Sequence, residues 1–163
     1  MRGKFISRVP WREKLEQPKV KLPKIVRVPA KWQKRFGSGT MVIARPLDVD
    51  ALIRTVKRGK LVTQTQLRAR LARKYRVDHT CPLTTGIFVR IIAEAAEEDR
   101  RTGKSHVTPY WRVVRDDGSL NEKLPGGPPA QARHLRAEGF SIAKGKGTRP
   151  PRVKEFEKHP ARL

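Results

Sequence analysis

Apolar residues recur at helical spacing in four separate runs between Asp48 and Gly139. In the first, Val49, Leu52, Ile53 and Val56 share one face of a helix that Asp48 caps, that runs to about Arg58, and that Gly59 stops. Leu61-Val62 then forms a short extended lead into a second helix. Thr63 caps it, and Gln64 to about Tyr75 carry the stripe Leu67, Leu71 and Tyr75. Asp78-His79-Thr80-Cys81-Pro82 breaks the pattern. A third helix follows, from Pro82 or Leu83 to Arg100, with Ile87, Phe88, Ile91, Ile92 and Ala95 as its buried stripe. Thr80 or Thr84 is its expected cap, and Pro82 suits a first turn, whose backbone N–H has no partner anyway. The fourth helix spans about Pro128 to Glu138, packs Ala132 and Leu135, and stops at Gly139.

Between the third and fourth helices the periodicity changes. His106 to Val114 reads as extended, Asp116-Asp117-Gly118 as a turn, and Leu120 to Gly127 as a loop containing Pro125-Gly126-Gly127. Helix, short helix, turn, long helix, then strand and loop describe a mainly α, winged-helix-like helix-turn-helix domain with short strands, over residues 47–140. In such a core the second helix of the pair enters a DNA groove while the first crosses the backbone. Residues 1–46 are rich in Lys, Arg and Pro and read as a basic arm, either docked through Trp11, Trp32 and Phe36 or solvated. Its piece KVKLPKIVRV alternates and suits an edge strand or an extended arm. Residues 141–163 are basic and broken by Gly and Pro, and are expected to form a flexible tail.

Charge changes the picture from a fold to a partner. Lys plus Arg number 38 against 15 acids, a formal net charge of +23. A folded domain with that excess repels itself and calls for a polyanion. Nucleic acid is the expected partner, with an anionic membrane surface as the competitor. No apolar run approaches the roughly 20 residues of a membrane span. The basic N-terminus lacks the apolar centre of a secretory signal. Cys81 is the one cysteine, so neither an intramolecular disulfide nor a Cys-rich zinc site can form, and the four histidines show no metal-ligand spacing. No metal or cofactor is expected. Acids crowd the end of the third helix (Glu94, Glu97, Glu98, Asp99), which leaves its N-terminal half as the end suited to DNA.

Five short pieces then line up in order: Gly59-Lys60-Leu61-Val62-Thr63, Pro109-Tyr110-Trp111-Arg112-Val113-Val114, Asp117-Gly118-Ser119-Leu120, Gly126-Gly127 and Ala137-Glu138-Gly139. In order and approximate spacing, residues from about Leu47 to Phe140 resemble the DNA-binding, active-site domain of the alkylguanine-DNA alkyltransferases (methylated-DNA–protein-cysteine methyltransferases). They also resemble the alkyltransferase-like proteins that lack the nucleophile. The family's Pro-Cys-His-Arg-Val loop falls on 109–113, so its cysteine falls on Tyr110 and its histidine on Trp111. The tyrosine that helps rotate the target nucleotide falls on Gln64, and the arginine that fills the gap in the duplex falls near Thr85. Glu138 matches the carboxylate that orients the family's histidine and is left with nothing to orient.

Without a thiolate beside a base there is no route to alkyl transfer by that loop. The resemblance therefore implies a non-enzymatic, monomeric sensor of alkylated guanine in double-stranded DNA, linked to repair through a protein partner and working in a bacterial cytoplasm at the nucleoid. Thr63, Gln64, Thr84, Thr85 and Arg112 are the candidate DNA contacts. Tyr110, Trp111, Gly126 and Gly127 are the candidate lesion pocket, since an aromatic face can stack on an extruded base. Two alternatives stand beside it. Cys81, near the start of the third helix and two residues from His79, would be the nucleophile of a single-turnover alkyl-accepting enzyme, or a packed residue. A non-specific basic DNA- or RNA-binding structural protein is the other.

Overall fold

The computed structural model describes residues 7–163, so the first six residues of the expected arm lie outside the described residues. Among the described residues six α-helices carry most of the regular structure, and seven short strands form three small sheets around them: the architecture is mixed α/β.

The expected helix pair is present. It is α4 (Gln64–Tyr75) and α5 (Pro82–Arg101), preceded by α3 (Pro46–Arg54). Thr63 caps α4: its hydroxyl accepts the Gln66 N–H, and the Gln66 side chain accepts the Thr63 N–H in return. Leu67 and Leu71 are fully buried, each contributing about 1.5–3 kcal/mol of apolar burial. Asp48 is not the cap of α3. It sits one turn in, takes the Arg45 N–H and guanidinium, and also receives Lys74 and the Tyr75 hydroxyl from α4. It thus ties α3 to α4. On α5 the buried face is Val89, Ile92, Ala93, Ala95 and Ala96, and Ile87 stands 49% exposed, correcting its place in the stripe.

Both flanks depart from the expected domain boundaries. In the N-terminal arm, α1 (Trp11–Glu16) buries Leu15 against the main core. The Glu98 carboxylate of α5 accepts its first two backbone N–H groups, of Trp11 and Arg12, at 2.9 and 3.1 Å. A carboxylate at a helix N-terminus satisfies orphan donors and the helix dipole together. Next, β1 (Lys24–Arg27) pairs antiparallel with β2 (Thr40–Ile43), separated by α2 (Ala30–Phe36). β2 in turn pairs parallel with β4 (His79–Thr80), the turn between α4 and α5. The arm therefore completes a sheet onto the turn between α4 and α5.

The expected flexible tail is likewise packed. β6 (Ile142–Ala143) pairs antiparallel with β7 (Arg152–Val153), Val153 is fully buried, and Phe156 lies over Gly118. Further on, Leu61 donates to His159 and accepts from Ala161, both at 2.8 Å. The cause in both flanks is the same: their few apolar residues are spaced to fill gaps in clusters whose other members lie far away in sequence. The expected strand His106–Val114 shrinks to β5 (Val113–Val114), which pairs parallel with β3 (Val62–Thr63). α6 (Gly127–Ala137) follows, burying Ala132 and Leu135 as expected.

Candidate nucleic-acid interface

Three neighbours fix the 108–114 segment. Thr108 donates its hydroxyl to Asp50 of α3 at 2.6 Å, Tyr110–Arg112 form one 3-10 turn, and Val113–Val114 join β3. Gln131 of α6 donates its amide to the Trp111 and Val113 carbonyls at 3.1 and 2.8 Å, which satisfies buried backbone acceptors. The segment is thereby a rigid shelf between α5 and α6.

Tyr110 is 1% exposed. Its hydroxyl donates to Glu97 of α5 at 2.7 Å. Burial, and then that bond to a carboxylate, pushes the phenol well above its ordinary range. A phenol held protonated in this way is a poor nucleophile at neutral pH. It also presents no face to a base, which corrects its place in the lesion pocket: the ring fills the space.

Trp111 turns the other way. Its indole N–H donates to Glu138 at 2.8 Å, and its ring stacks on His134 at 4.3 Å between centroids and 12° between planes. Glu138 also receives the Arg112 guanidinium at 2.8–3.1 Å and the Gly59 N–H at 3.3 Å. Burial would raise this carboxyl, but the bonds from Arg112 and Trp111 outweigh it and hold it below the usual range. Glu138 is therefore not left without work. The Trp111 indole N–H is a donor that the Glu138 carboxylate takes. The indole N–H of Trp111 is the signal in the sequence for this bond. His134 was missed; burial and the neighbouring Arg100 charge lower its pKa, so the neutral ring is favoured in the stack.

The pocket glycines lie elsewhere. Gly126, with φ +73, and Gly127 open α6; a Cβ on Gly126 would meet the Ala130 methyl at 2.6 Å. Neither lines the cleft beside Trp111. That cleft, about 360 Å³, is bounded by Arg54, Ser105, His106, Val107, Pro109, Trp111 and Arg112. It brings two guanidinium-bearing residues and a histidine to the edge of an indole.

The five candidate DNA contacts divide. Thr85 is buried and donates to the Cys81 carbonyl at 2.7 Å, so it is withdrawn from the surface. The side chain of Arg112 is engaged with Glu138, and the Thr63 hydroxyl with its helix. Gln64 and Thr84 remain partly exposed, and the Gln64 amide reaches toward Gly86 of α5. Around them sequence reasoning missed the dominant feature: Leu83 and Ile87, one turn apart on α5, stand 60% and 49% exposed. Helical spacing marked Ile87 as apolar but could not say which of two possible stripes faced inward.

Cys81 is the N-cap of α5, buried with Val28 and Met41, while the His79 ring bonds the Ser38 carbonyl at 3.1 Å. Among the described residues no group of His, Cys, Asp and Glu could hold a metal ion, and no helix is long and apolar enough to cross a membrane. Compared with protein-family models, curated proteins and solved structures, the chain matches none.

Proposed function

We propose that this chain is a non-enzymatic DNA-binding protein of the alkyltransferase-like type, which reads duplex DNA through a winged-helix-like α4–turn–α5 unit and serves repair of alkylated guanine. The observation that carries the proposal is the shelf around Tyr110 and Trp111. A phenol fills the reactive position, and an indole N–H takes the carboxylate that the resemblance assigns to a histidine. The frame is kept and its chemistry is removed. The net charge of +23 supports a polyanionic partner, and Leu83 and Ile87 beside Gln64 and Thr84 suit insertion into a groove, where apolar side chains can wedge between base steps. Lesion preference would then come from the cleft beside Trp111, whose indole edge and polar rim suit an extruded purine.

A second reading, binding to duplex without regard to lesions, is favoured by the burial of Tyr110, which removes half of the expected aromatic pocket. One experiment separates the two. Fluorescence anisotropy at fixed salt compares two duplexes that differ by one O-alkylated guanine, followed by intact-mass analysis of the protein. A preference of tenfold or more, about 1.4 kcal/mol, with unchanged mass supports the sensor. Equal affinity leaves a general DNA binder. A mass gain on Cys81 overturns both in favour of an enzyme.

A further inference from the structure

The C-terminal hairpin has no counterpart among the motifs that carry the family resemblance, and its construction is specific. β6 and β7 pair Ile142 with Val153 and Ala143 with Arg152, and a further bridge joins Lys146 to Arg149 across a tight tip. Gly145 permits the close approach: a Cβ there would lie 2.2 Å from the Arg149 carbonyl oxygen. Pro150 and Pro151 stiffen the returning strand by fixing φ. The base is bolted down, with Leu120 N–H donating to Pro151 at 2.9 Å, Val153 N–H donating to Gly118 at 3.0 Å, and Val153 fully buried. The free end carries Lys144, Lys146 and Arg149, all exposed and, among the described residues, in no ion pair. No carboxylate occurs between Glu138 and Glu155. Three cations are thus held on a rigid projection with no acid to neutralise them locally.

A short path joins the hairpin to the helix pair. Gln64 of α4 faces Gly86 of α5, and Thr65, the next residue, donates to Asp116 at 2.7 Å. The neighbouring Asp117 carbonyl accepts the Arg152 guanidinium of β7. From Arg152 the tip is three extended residues further out, roughly 10 Å, about the reach from a groove floor to the next phosphate ridge. We infer that the Ile142–Val153 hairpin is the wing of this protein: Lys144, Lys146 and Arg149 grip the phosphate backbone of duplex DNA flanking the segment read by α5. This inference rests on the DNA-binding proposal. It locates a wing in the stretch expected to be a flexible tail, and it makes the contact independent of sequence and of lesion.

The test is the salt dependence of duplex binding by the full chain. Each neutralised phosphate contributes about 0.9 to the log–log slope. The variant Lys144→Gln/Lys146→Gln/Arg149→Gln should flatten the slope by about 2.7 and converge on wild-type affinity toward high salt. A matched variant, Arg101→Gln/Arg133→Gln/Arg136→Gln, removes three exposed charges toward the far end of α5, where Arg100 meets His134 of α6. It should flatten the slope by less than about 1. Unchanged thermal melting of both variants verifies folding. An unaltered slope in the hairpin variant, or equal flattening in both, overturns the wing while leaving DNA binding intact. Absence of duplex binding by the wild-type protein overturns the wing and the DNA-binding proposal together.

Discussion

Glu138→Gln tests whether one carboxylate holds the 108–114 shelf. The substitution keeps the shape and removes the charge. Glu138 takes bonds from the Trp111 indole, both the Nε and Nη2 of Arg112, and the Gly59 N–H, and the Arg112–Glu138 pair has side-chain exposures of 14% and 5%. Two carboxylate oxygens accept from all these donors; an amide offers one acceptor and turns an N–H toward the others. Breaking a buried ion pair on one side costs about 3–5 kcal/mol, because the remaining guanidinium is left uncompensated. For a domain of this size each kcal/mol lowers Tm by about 2–4 °C, so a drop of roughly 6–20 °C is expected. Adding Arg112→Met should recover more than half of the loss, since an apolar side chain then replaces the stranded cation. Thermal unfolding followed by circular dichroism measures both. A Glu138→Gln drop below about 3 °C, or losses that simply add in the double variant, would refute the idea that this carboxylate holds the shelf.

Stability should also fall with acid in two stages. His134 has its pKa lowered from 6.5 by burial and by Arg100, so the unfolded chain takes up its proton first; stability is complete above about pH 6.5 and declines as pH falls through the lower folded value. Glu138 and Asp99 are held below their ordinary values, against the opposing effect of burial, by their hydrogen-bonded cations, so their contribution is present above about pH 4.5 and is lost below it. Urea midpoints from about pH 2 to 8 read this, and His134→Gln should remove the upper stage. Leu83→Glu or Ile87→Glu should weaken duplex binding at least tenfold by anisotropy while moving Tm little, because both residues are exposed. Cys81 should react with a thiol reagent only after unfolding, and rapid labelling of the native protein would contradict its burial among Val28 and Met41.

Local signals were legible where one helix decides its own structure. Thr63 announced the start of α4, Pro82 that of α5, and the Leu67–Leu71 spacing the inward face. In the N-terminal flank the alternation in KVKLPKIVRV announced the edge strand β1, and Trp11 and Trp32 pack as a docked arm requires, but the rest of the flanks was illegible because its order comes from distant partners. Leu15 alone cannot announce a helix end capped by Glu98, and His79-Thr80 cannot announce that Met41-Val42 will lie beside it. The candidate site was half legible for the same reason. Motif positions brought out Tyr110, Trp111 and Glu138, but only the fold shows that Tyr110 points to Glu97, Trp111 to Glu138, and His134 lies flat against the indole. Face selection on α5 stayed ambiguous because Leu83 and Ile87 are as apolar as the residues that pack.

The bonds joining Leu61 to His159 and Ala161 set an order of events during synthesis. Leu61 leads directly into β3 and the Thr63 cap, yet its own backbone partners arrive about a hundred residues later. Contacts of such separation form late, after the loop between them has closed. A ribosome-bound chain can therefore assemble α4 and α5 while the edge beside them stays unpaired. The helices α4 and α5 would exist before the segment that seals their support, and a stalled or clipped product would be a basic, half-closed protein with an open strand edge, the kind of species that aggregates or draws proteases.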